Sequence, residues 1–129
     1  MAEKNYAIIL AGGAGERMDS PTPKQFLKLA GLTVIEHTLQ VFGAHPRIDD
    51  IFIVCNPKYR LLMEELLLRR PQKKVSRILS GGGSRMESSR AGVLAVPEDE
   101  AKVLLHDAVR PFATAALFDL GVFLCVLGA

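Results

Sequence analysis

Tyr6-Ala7-Ile8-Ile9-Leu10-Ala11 runs directly into Gly12-Gly13-Ala14-Gly15-Glu16-Arg17-Met18. The first stretch is apolar at every alternate position on both faces, as a central strand of a parallel sheet is. The second is a glycine-rich turn at the carboxyl end of that strand. Glycines let a backbone approach a phosphate, and the free N–H groups bind its oxygens. Two familiar phosphate motifs do not fit. A P-loop needs Lys-Ser/Thr after its last glycine, where Glu16-Arg17 stands, and the dinucleotide fingerprint needs a third glycine where Met18 stands.

Working outward, Ile51-Phe52-Ile53-Val54-Cys55, Val75 to Leu79 and Lys102-Val103-Leu104-Leu105-His106 read as further strands. Helices separate them. Thr33 and Glu36 have the spacing of a capping box ahead of Ile35, Leu39 and Phe42, with Gly43 and Pro46 as the stop. Tyr59, Leu62, Met63, Leu66 and Leu67 recur at helical spacing. Ser84 and Glu87 repeat the capping-box spacing and open a helix to about Ala95. This alternation predicts an α/β fold, a parallel-rich sheet with helices on both faces. Ligands of such sheets bind beyond the carboxyl ends of the strands. Three unusual loops fall there: Gly12 to Lys24, Gly81 to Ser88 and Asp107 to Arg110.

Composition narrows the partners. The hydrophobic share of 49% in 129 residues builds a core and excludes a disordered tail. A net charge of +2, few aromatics and no Trp argue against a base-stacking nucleic-acid surface. Cys55 and Cys125 are far apart and have no metal-ligand spacing, and the amino terminus lacks the pattern of a secretory leader; both predict a reducing, cytoplasmic home. The apolar residues 113–129 include Asp119 and are too few for a membrane span. Leu117 to Leu127 read instead as a helix that is apolar all round.

Each loop residue has two readings. Arg17 and Lys24 are either the cations that neutralise a triphosphate during transfer or solvated surface charges. Gly81-Gly82-Gly83 with Arg85 and Ser88 is either a polar cradle at a helix start or a flexible connector with a Ser cap. Asp107 either holds Mg²⁺ on phosphate oxygens or shapes a turn. His106 reads as a satisfied strand-end histidine, His37 and His45 as helix-surface and turn residues, and Cys55 as core.

Together, Leu10 to Met18, Pro23-Lys24-Gln25-Phe26, Gly81-Gly82 with Arg85 and Ser88, and His106 to Pro111 resemble the 2-C-methyl-D-erythritol 4-phosphate cytidylyltransferases and the closely related ribitol-5-phosphate cytidylyltransferases. The resemblance covers Ala7 to about Phe112. It implies a Rossmann-like nucleotidyltransferase fold that uses CTP and Mg²⁺ to convert the methylerythritol phosphate to CDP-methylerythritol and pyrophosphate. By the same resemblance Ala11, Gly12, Gly13, Ala14 and Gly15 wrap the triphosphate, and Arg17 and Lys24 stabilise the transition state. Gly82, Arg85 and Ser88 lie at the cytidine, and Asp107 contacts the metal. A phosphorylated polyol is the second substrate, and a later segment of the family makes a homodimer. CDP-ribitol synthesis and a non-catalytic nucleotide-binding fragment are the alternatives. Residues 1–112 then form the nucleotide-binding part. Residues 113–129 do not resemble the family's next helix and read as an aberrant, truncated or frame-shifted end, so the fold is expected to be incomplete at its carboxyl side.

Overall fold

The computed structural model describes residues 4–11, 26, 28–97, 100–107 and 124–127. Asn5–Ala11 is strand β1. A two-residue hairpin follows, β2 (Lys28–Leu29) and β3 (Leu32–Thr33), and leads into helix α1 (Val34–Ala44). Asp50–Cys55 is β4, and a short 3-10 turn at Pro57–Tyr59 opens helix α2 (Arg60–Arg69). Val75–Ser80 is β5, Arg85–Leu94 is α3, Glu100–Asp107 is β6 and Leu124–Leu127 is β7.

The main sheet has the order β5-β4-β1-β6-β7. The first four strands run parallel and β7 is antiparallel to β6. The chain therefore leaves β1 to one side for β4 and β5, then crosses back over β1 to β6. The crossings change direction between β1 and β6, the switch point at which sheets of this kind open a crevice.

Helices cover both faces, as the alternation of the sequence requires. On one face Ile35, Leu39 and Phe42 of α1 and Met63 and Leu66 of α2 pack on Ala7, Ile9, Ile51 and Ile53. On the other, Tyr6, Ile8, Phe52 and Val54 meet Val93 and Ala95 at the end of α3. Each large aliphatic side chain buried in this way contributes about 1.5–3 kcal/mol. α3 comes close to the sheet at Gly92, where a Cβ would collide with Ile8 and touch Val54.

The predicted capping box of α1 forms in full. The Thr33 Oγ1 accepts the Glu36 N–H at 3.3 Å, and the Glu36 carboxylate accepts the Thr33 N–H at 2.9 Å. The same buried carboxylate pairs with Arg70 at 3.2 Å, just past the end of α2. The start of one helix is thereby tied to the end of the next.

Two features differ from the sequence reading. The β2–β3 hairpin was not expected; it turns through Ala30 and Gly31, both at positive φ, as a two-residue loop of the primed type requires. Leu124–Leu127 is a strand and not part of a helix. It pairs antiparallel with Glu100 to Val103, alongside the amino half of β6, and satisfies backbone groups that an edge would expose there. A short apolar run fits a strand as well as a helix. The rest of the predicted tail helix lies outside the described residues.

Candidate nucleotide site at the carboxyl edge of the sheet

The carboxyl ends of four strands stand level. Asp107 is the register partner of Leu10, Ala11 of Cys55, and Cys55 of Ser80. At about 4.8 Å per strand, the end of β5 lies about 10 Å from that of β1 and about 14 Å from that of β6. Asp107 is the last residue of β6, at the switch point beside the residue where the glycine-rich loop begins. This edge brings Ala11 and Asp107 together. Gly82, Arg85 and Ser88 stand on the same edge, two strands away.

Gly12, Gly13, Ala14, Gly15, Arg17 and Lys24 lie outside the described residues. The ends of their segment are placed. Ala11 is buried at the end of β1, and Phe26, two residues after Lys24 in the chain, is buried against Tyr59 with ring centroids 5.8 Å apart. The sequence did not single out Tyr59 for this contact; its signal was only a place in the apolar pattern of α2.

The loop after β5 is held by hydrogen bonds. The Gly81 N–H donates to the Cys55 carbonyl at 2.8 Å, and the Gly82 N–H donates to the Ser88 Oγ at 3.1 Å. Ser88 is buried, facing back into the loop from the first turn of α3. Ser84 caps that helix by accepting the Glu87 N–H at 3.1 Å. The Glu87 carboxylate accepts the Gly83 N–H at 2.8 Å, so the capping pattern read from Ser84 and Glu87 closes on a glycine. A Cβ at Gly82 would collide with the Glu87 side chain, so only glycine fits there. The Ser88 and Gly82 of the sequence reading are in direct contact, and Arg85 begins α3 between them.

His106, His45 and Cys55 fall where the sequence put them. His106 is buried against Phe42, with ring centroids 4.8 Å apart. His45 ends α1 and its Nδ1 accepts the Arg47 N–H. Cys55 is fully buried; burial pushes its thiol up, Arg60 pulls it down and Glu64 raises it further. A thiol so held is core rather than nucleophile. Among the described residues no three His, Cys, Asp or Glu side chains group as a metal cage. No described helix is long and apolar enough to cross a membrane.

A family model described as IspD, 2-C-methyl-D-erythritol 4-phosphate cytidylyltransferase, matches residues 6–123. The chain belongs to this family. The match reaches past Phe112 into the apolar segment. Among curated IspD relatives, the 2-C-methyl-D-erythritol 4-phosphate cytidylyltransferase of Thermobifida fusca is 44% identical over 110 residues, covering 84% of this chain and 44% of its own. The bifunctional ribulose 5-phosphate reductase/CDP-ribitol pyrophosphorylase Bcs1 of Haemophilus influenzae is 43% identical over 118 residues, covering 90% of this chain and 25% of its own. The crystal structure of the 4-diphosphocytidyl-2C-methyl-D-erythritol synthase of Anaerococcus prevotii matches with a TM-score of 0.75 at 30% identity, over 93% of this chain and 49% of that one. The IspD fold expected from the sequence is therefore the fold observed. The chain spans between a quarter and about half the length of these relatives.

Proposed function

We propose that the chain carries the nucleotide-binding part, residues 1–112, of a CTP-dependent cytidylyltransferase. The reaction is conversion of 2-C-methyl-D-erythritol 4-phosphate to its CDP derivative with release of pyrophosphate. A phosphate oxygen of the polyol attacks the α-phosphorus of CTP. The bond from that phosphorus to the bridging oxygen breaks, and pyrophosphate leaves with the electron pair. No side-chain nucleophile is required, which suits a site whose cysteine and histidine are core residues.

The observation that carries this reading is the family match combined with Asp107 beside Leu10 at the switch point. In this reading Ala11, Gly12, Gly13, Ala14 and Gly15 cradle the triphosphate over the end of β1. Arg17 and Lys24 face the charge that grows on the departing pyrophosphate. Gly82, Arg85 and Ser88 receive the cytidine at the end of β5. Asp107 would hold a magnesium ion, because a carboxylate suits a metal whose other ligands are phosphate oxygens and water. When bound there, the metal supplies positive charge to the phosphates. A cytoplasmic location and a homodimeric whole enzyme belong to the same proposal, on the strength of the resemblance.

The second reading, CDP-ribitol synthesis, is favoured by the 43% identity to the Haemophilus influenzae enzyme. Pyrophosphate release from CTP, measured with each polyol phosphate in turn, tests both. Turnover with methylerythritol phosphate supports the main reading, and turnover with ribitol 5-phosphate alone supports the second. CTP binding without turnover makes the chain a non-catalytic nucleotide-binding fragment.

A further inference from the structure

The three consecutive glycine N–H groups after β5 are all donated inward: Gly81 to the Cys55 carbonyl, Gly82 to the Ser88 Oγ and Gly83 to the Glu87 carboxylate. A glycine run usually serves a ligand by its N–H groups. This one cannot, because its donors are already engaged, and what it has left to offer is carbonyl oxygen. The Gly82 carbonyl and the Gly83 N–H belong to one planar trans peptide, so they point in opposite directions. Glu87 grips the N–H end at 2.8 Å, and the carbonyl end therefore points away from Glu87.

Glycine peptides flip easily, because neither flanking residue has a Cβ to oppose the change. A flip here would exchange an acceptor for a donor. The Glu87 carboxylate, anchored by its own capped backbone, opposes that exchange. We propose that Glu87 is a positioning residue: by holding the Gly83 N–H it keeps the Gly82 carbonyl outward, so that the loop selects a base presenting an amino group over one presenting a carbonyl. Cytosine presents such an amino group where uracil presents an oxygen. The inference rests on the CTP reading and adds to it the residue that fixes the direction of the selecting peptide.

The test compares CTP and UTP binding to the unsubstituted chain, Glu87→Ala and Glu87→Gln by calorimetry, with hydrogen exchange at the Gly83 amide followed by NMR. Glu87→Ala is expected to weaken CTP about tenfold, the equivalent of one good hydrogen bond. UTP binding should be unchanged or improved, and the Gly83 amide should lose its protection. Glu87→Gln keeps an acceptor oxygen and should restore both the CTP preference and the protection. A merely structural role would weaken both nucleotides equally and move the melting temperature. If the unsubstituted chain binds no CTP, the functional reading fails and this inference falls with it. If it binds CTP and Glu87→Ala keeps the same affinity and the same preference, only this inference is overturned.

Discussion

Asp107, the last residue of β6, is paired in register with Leu10 of β1. Two residues further along the chain from Leu10, just past the last residue of β1, the glycine-rich segment begins. In the proposed function this neighbouring of Asp107 and the start of the glycine-rich segment, at the point where the chain's crossings reverse, is where a metal-bound phosphate would lie.

Asp107→Asn keeps the shape of the side chain and removes its charge. CTP affinity in Mg²⁺ should fall by about 10–100-fold, the usual worth of a charged contact. The difference between titrations with and without Mg²⁺ should largely vanish. Calorimetry with the metal present and chelated reads both effects. An unchanged Mg²⁺ dependence would return Asp107 to the role of a turn residue.

Arg17→Ala and Lys24→Ala, in a preparation that turns over, should each lower kcat by about 10²–10³ while changing the KM for CTP far less. Cations aimed at charge that develops in the transition state act mainly then. Steady-state kinetics at saturating CTP separates this from ground-state binding, in which KM would rise and kcat would hold.

Glu36→Ala should destabilise the fold by about 2 kcal/mol, through loss of the N-cap hydrogen bonds to Thr33 and the pairing with Arg70. Arg70→Ala should cost less than about 1 kcal/mol, since its own side chain is largely exposed. Urea unfolding of the two variants and of the double variant gives the coupling. Equal costs would mean that the ion pair, and not the cap, holds the two helices.

Folded Cys55 holds its proton more tightly than the unfolded chain does, because burial raises its pKa. Its contribution to stability is then complete below the ordinary thiol pKa of about 8.5 and is lost as pH rises through the higher folded value. Urea unfolding between pH 8 and 10 should show this alkaline decline, and Cys55→Ser should remove it. A thiol reagent should react slowly with the folded chain and quickly in urea. Fast modification of the folded chain would contradict a buried thiol.

β1 and β4 were legible because each is an apolar run buried on both faces, whereas β5, which carries Ser76 and Arg77 and is half-buried to exposed, was read from its place in the alternation of strands and helices. The start of α1 was legible from Thr33 and Glu36 alone. The hairpin was not. Two-residue strands carry no periodicity, and its turn places Ala30, not Gly or Asn, at positive φ. β7 was misread because Leu-Cys-Val-Leu has no polar face to reveal its period; only pairing with Glu100–Val103 decides it, and that partner is remote in sequence. At the site, glycines and charged residues in strand-end loops were visible as types. The tie between Gly83 and Glu87 was not, because the spacing of Ser84 and Glu87 reads equally well as an ordinary capping box.

The central claim is that a cytidine nucleotide lies along the carboxyl edge of the sheet, its base at the end of β5 and its phosphates over β1 and β6. Amide chemical shifts of the chain, followed by NMR while CTP and Mg²⁺ are added, test this most directly. The account predicts shifts concentrated at Ala11, Gly81 to Ser88 and Asp107, with little change along the outer face of α2, and weaker effects from UTP. Saturating CTP that leaves Gly81 to Ser88 and Asp107 unmoved, or that shifts α2 instead, would contradict it.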